Sequence, residues 1–157
     1  MLNTMANISV DQIKKLREQT GAGIADCRKA LEDAKGDFKK AAELLRSWGI
    51  DKAASKSDRL VGEGLVDTYI HGGGKVGAIV EINCETDFVA RTDEFKNLTH
   101  EVAMQVAAMD PKDVKELQEQ TYIRDSSKTI GDLVKEAIAK LGENIVIKRF
   151  ERFELGS

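Results

Sequence analysis

Apolar residues recur at helical spacing through the first third of the chain, alternate through the next stretch, return to helical spacing, and close on a strand-like run. Ser9 followed by Gln12 forms a capping-box pattern, and Val10, Ile13 and Leu16 then mark one helical face up to Thr20-Gly21-Ala22-Gly23. A second helix carries Ile24, Cys27, Leu31 and Ala34 on one face and is expected to stop at Gly36. Asp37 caps a third, with Phe38, Ala41, Leu45 and Trp48 inward and Gly49 as its expected stop. Residues 6–50 thus read as a three-helix bundle, too small to bury much apolar area alone.

Residues 51–63 are polar and short in large apolar side chains, so they read as a linker, partly helical, with the boundary near residues 50–60. Residues 64–70 and 75–83 are rich in β-branched residues and flank His71-Gly72-Gly73-Gly74, which predicts a hairpin. Gly74-Lys75 resembles the end of a phosphate-binding glycine loop, but Val76 stands where Ser or Thr is required and a strand follows where a helix should begin. Thr92 then caps a helix bearing Phe95, Leu98, Val102, Val106 and Met109, which Asp110-Pro111 ends. A short polar helix over 111–120 leads to Thr121-Tyr122-Ile123, and Ile130, Leu133, Val134, Ala137, Ile138 and Leu141 define another helix, stopped by Gly142. In the closing run, 144–155, the alternation slips phase between Ile147 and Phe150, which predicts a bulge or a doubly covered strand. The class is α+β: a three-helix domain, then a core over 64–155 with a three-stranded, mostly antiparallel sheet backed by helices.

Composition narrows the function more than the fold. The chain has 157 residues, 41% hydrophobic and 32% charged, and no apolar run long enough to span a bilayer. The stretch Met1 to Met5, with Met5 an alternative start, lacks the regions of a secretory signal, so a cytoplasmic protein is expected. Net charge is −3 with both signs interspersed, which leaves no broad basic field for nucleic acid. Cys27, Cys84, His71 and His100 show no metal-ligand spacing, and no nucleophile, carboxylate pair or cofactor motif stands out. The expectation is a binding protein rather than an enzyme, with no cofactor.

One stretch has unusual chemistry for a plain connection: Cys84-Glu85-Thr86-Asp87-Phe88-Val89-Ala90-Arg91, between a strand-like and a helix-like run. Phe88 is either a core residue capping the sheet or an aromatic displayed to a partner, and Asp87 either an ordinary helix-start carboxylate or a contact. A second candidate surface joins Ile24, just past the Gly21-Ala22-Gly23 corner, to Lys14 and Arg17 one helical turn apart. The corner alone reads equally as a plain helix-to-helix turn.

Three segments resemble the elongation factor Ts family in the right order: residues 16–31, residues 83–91, and Gly142-Glu143-Asn144-Ile145-Val146-Ile147-Lys148-Arg149-Phe150. The resemblance implies a ubiquitin-associated-like domain at the N-terminus and a core that docks on a GTPase, elongation factor Tu, to promote GDP release. It implies that Asp87 and Phe88, within Thr86-Asp87-Phe88-Val89, insert near the magnesium and phosphate site. It also implies helical-domain contacts from Lys14, Arg17, Ile24 and Ala25, where long forms of the family usually carry methionines at the last two positions. His71, at the hairpin tip, is a further candidate contact, and a homodimer is expected through the core. Between Met109 and Thr121 the chain is shorter than family members usually are. The rival reading is a ubiquitin-associated-like adaptor that binds a partner helix or peptide without exchange activity.

Overall fold

The computed structural model describes residues 7–157; Met5 and Ala6, the alternative start and the first residue of the expected bundle, lie outside the described residues. Helices α1 (Val10–Thr20), α2 (Ile24–Asp33) and α3 (Phe38–Ser55) come first. Ser9 and Gln12 close the capping box of α1, Gly21 ends it at φ +69°, and Asp37 caps α3 by accepting from the Lys40 N–H. Leu16, Cys27, Ala30, Leu31, Ala41 and Leu45 are buried between the three helices, with Phe38 and Trp48 packed at the edge. Val10 and Ile24, counted on the inner stripes from their spacing, are instead 66% and 58% exposed.

The third helix corrects the sequence reading. Gly49 does not stop α3, which continues to Ser55, so the segment expected as linker is helical in its first part. A glycine ends a helix only where the chain turns left-handed; here the chain stays helical and the glycine serves packing instead, since a Cβ on Gly49 would sit 3.3 Å from that of Ala139. The missing side chain lets α3 approach helix α7 (Ile130–Leu141), and further along α3 Ala53 is buried in the core cluster of the second half.

That second half is built on the antiparallel sheet of β1 (Glu63–His71), β2 (Val76–Cys84) and β5 (Val146–Glu154), in the order β1-β2-β5. The expected phase slip is a register shift: Glu81 faces Arg149 and Ile82 faces Ile147, so Lys148 is the extra residue. One sheet face is covered by α5 (Asp93–Met109), and Ala78, Val80, Ile82, Phe95, Val102, Val106, Ile138 and Ile147 form the core. The other face carries Val66, Ile70, Ile79 and Phe153, all exposed. Short helices α4 (Asp87–Ala90) and α6 (Val114–Glu119) flank α5. A two-stranded hairpin, β3 (Thr121–Tyr122) with β4 (Asp125–Thr129), precedes α7 and has no counterpart in the periodicity. Among the described residues, no helix is long and apolar enough to cross a membrane.

Candidate functional site: an aromatic turn and its supports

Strand β2 ends at the buried Cys84, and the chain turns at once into the single turn α4. Thr86 caps it, its Oγ1 accepting from the Val89 N–H at 3.4 Å. Val89 and Ala90 face the core, 9% and 4% exposed, whereas Phe88 is 77% exposed. The reading of Phe88 as a core residue is therefore corrected: the residues after it fill the inward positions, and the ring has only the outward one. Asp87 begins the helix, where its charge suits the local dipole, and pairs with Arg91 at 2.7 Å on the surface. Thr92 donates to the Val89 carbonyl at 2.7 Å and caps α5, which fixes the far end of the turn.

The supports come from distant sequence. Glu143, in the α7–β5 connection, accepts from the Thr86 N–H at 3.0 Å and from its hydroxyl at 2.7 Å. Glu85 accepts from the Asn144 N–H at 2.7 Å and lies 3.5 Å from the Arg59 guanidinium. The Asn144 side chain, 4% exposed, donates to the carbonyls of Ser57 and Arg59 at 3.3 and 2.9 Å. Three chain segments are knotted here: the exit from α3, the turn after β2, and the turn after α7. The Cys84 thiol donates to the Thr86 carbonyl at 3.1 Å; burial first, and then the Glu143 charge, push its pKa up to about 11. It is a neutral structural group rather than a nucleophile.

Sequence reasoning missed Glu85, Glu143 and Asn144 as working residues. The sequence places Glu143 and Asn144 just after the Gly142 helix stop but carries no mark of the distant partners that they and Glu85 reach.

Lys14, Arg17, Ile24 and Ala25 are all exposed on α1 and α2. The intervening corner reaches toward the aromatic turn: a Cβ at Gly21 would lie 3.3 Å from Cδ of Lys140, whose Nζ is 3.7 Å from Glu94 in the first turn of α5. Behind this corner, a cleft of about 280 Å³ runs between it, α3 and α7. His71 stands apart. It sits at the opposite end of β1 from Glu63, the partner of Cys84, about 27 Å away for a nine-residue strand. The Tyr69 hydroxyl holds its Nδ1 at 3.0 Å. Among the described residues, no group of three His, Cys, Asp or Glu side chains could hold a metal ion.

The family model for elongation factor TS matches residues 85–157, from Glu85 of this knot to the last residue. Elongation factor Ts of a Thermoanaerobacter species is 47% identical over 194 aligned positions that take in 95% of each chain. The chain belongs to the elongation factor Ts family. Elongation factor Ts of Herpetosiphon aurantiacus is 44% identical over 196 positions, 96% of this chain and 99% of the relative. A Nostoc member is 50% identical over 151 positions, 96% of this chain but only 48% of that longer relative. Since 95% of 157 residues is about 149, about 45 of the 194 positions aligned with the Thermoanaerobacter member have no residue in this chain. Within the family it is a shortened form.

Proposed function

We propose that this chain is a guanine nucleotide exchange factor that binds elongation factor Tu and promotes GDP release during translation elongation. Phe88 and Asp87 enter the GTPase near its magnesium and phosphate site, with Thr86 and Val89 holding them in place. Lys14, Arg17, Ile24 and Ala25 make a second contact, and His71 a third from the far end of β1. The observation that carries this reading is a phenylalanine 77% exposed on a turn anchored by two hydrogen bonds to Glu143. An exposed aromatic on a rigid support is poised for burial in a partner, because little ordering entropy is left to lose.

If Phe88 is buried only when the GTPase helices have shifted, it contributes about 1.5 to 3 kcal/mol toward the shifted state. That corresponds to roughly one to two decades in nucleotide affinity. The helical contacts and Asp87 supply the remainder. Coupling is reciprocal, so nucleotide rebinding loosens the factor by the same amount and recycles it. No covalent step and no cofactor is involved.

The test is stopped-flow release of a fluorescent GDP from elongation factor Tu. The intact chain should accelerate release, and Phe88→Ala should lose about 10- to 100-fold of the effect. A folded chain that leaves release unchanged would sink the reading in favour of a passive adaptor, in which the helical domain of residues 6–50 alone would bind the partner as well as the whole chain does.

We further propose that the core forms a homodimer through the outer sheet face, where Val66, Ile70, Ile79 and Phe153 are 63%, 65%, 40% and 72% exposed. Size-exclusion chromatography with light scattering reads the mass directly, and a monomer at high protein concentration excludes it.

A further inference from the structure

We propose that Asn144 is a positioning residue for exchange: it sets the placement of the Phe88 turn by tying it to the chain leaving α3. This rests on the exchange reading above. Asn144 touches no residue proposed to meet the partner, yet it is the centre of the knot. Its carboxamide donates both protons, to the carbonyls of Ser57 and Arg59 at 3.3 and 2.9 Å, and its backbone N–H donates to Glu85 at 2.7 Å. Glu85 immediately precedes Thr86, and its carboxylate also lies 3.5 Å from the Arg59 guanidinium, so the loop is closed on both sides. Next to Asn144, Glu143 grips Thr86 through two hydrogen bonds. Two adjacent residues of the α7–β5 connection therefore hold two adjacent residues of the turn, and of the two Asn144 extends the grip to the third segment, which Glu85 also reaches through Arg59.

The residue type matters. A carboxamide supplies two donors, aspartate of the same shape supplies none, and alanine supplies nothing. Ser57 and Arg59 are themselves exposed, so water can serve their carbonyls when the side chain is lost. Removal of the amide loosens the knot without opening the core. The turn then samples positions beside the productive one, and an aromatic that must enter a pocket pays for that freedom at each insertion.

The experiment combines Asn144→Ala and Asn144→Asp with Phe88→Ala, singly and together, in the same fluorescent-GDP release assay. Saturating release rate and half-saturating concentration are read separately, alongside thermal melting. Asn144→Ala and Asn144→Asp should each lower the saturating rate about 3- to 10-fold, and neither should slow release further once Phe88 is alanine. Multiplicative losses in the double variant, or losses that merely track melting, overturn the proposal. Amide hydrogen exchange on the free chain reads the link without the GTPase: Asn144→Ala should speed exchange at Thr86 through Val89 and not in β1. Unchanged exchange at the turn overturns the positioning role even where the intact chain is an active exchange factor. A folded intact chain that fails to accelerate release, with the exchange link intact, removes the functional reading instead.

Discussion

Phe88 and its neighbours show how one residue's surroundings decide its use. A four-residue helix has no periodicity to read, so the sequence leaves the facing of Phe88 open; burial of Val89 and Ala90 settles it. Glu143 was illegible for another reason: it lies 57 residues from Thr86, and nothing local marks a carboxylate as the acceptor for a distant cap. Buried Cys84 and Tyr122 carry a prediction about pH. Burial raises the Cys84 thiol from 9.0 to about 11, and burial together with the hydrogen bond to Glu101 raises the Tyr122 hydroxyl from 10.0 to about 12. A raised folded-state pKa favours folding fully below the unfolded value, and that contribution is lost as pH climbs through the folded value. The melting temperature should therefore decline from about pH 9 upward, and Cys84→Ala should flatten the first part of the decline, as read by circular dichroism. A thiol reagent at neutral pH should label neither cysteine in the folded chain, since both are buried.

Among the elements, the long amphipathic helices and the glycine-linked hairpin were readable because their apolar spacing, caps and turn residues agree. The β3–β4 hairpin was not: Asp125-Ser126-Ser127-Lys128-Thr129 has no apolar alternation, and its polar side chains bond one another instead. Gly49 misled because a helix stop and a helix-packing contact call for the same residue. Gly49→Leu should force α3 off α7 and cost about 1 to 3 kcal/mol in urea unfolding. Gly64 has a stricter requirement. It sits at φ +149° in β1, and a Cβ there would overlap the Ile82 carbonyl oxygen of β2. Gly64→Ala should destabilise by more than Gly49→Ala, which needs only a few tenths of an ångström from the Ala139 methyl.

At the scale of the whole molecule, charge is divided more sharply than the interspersed sequence suggests. Residues 7–56 hold 11 Lys and Arg against 8 Asp and Glu, while residues 57–157 hold 13 against 19. A dimer made through the outer sheet face brings two acidic cores together around an apolar patch. Added salt should therefore tighten it, since screening removes repulsion and leaves the apolar burial untouched. Sedimentation equilibrium at low and high salt checks this, and a dimer weakened by salt would point to ion pairing in its place. The linker expected over residues 51–63 is helical as far as Ser55. With α3 unbroken from Phe38 to Ser55, Gly49 against Ala139, Arg46 bridged to Asp132 at 3.2 Å, and Ala53 within the core, the two halves share one spine. In nitrogen-15 relaxation, backbone amides from α1 to β5 should accordingly report one rotational correlation time, with no faster value for the first three helices.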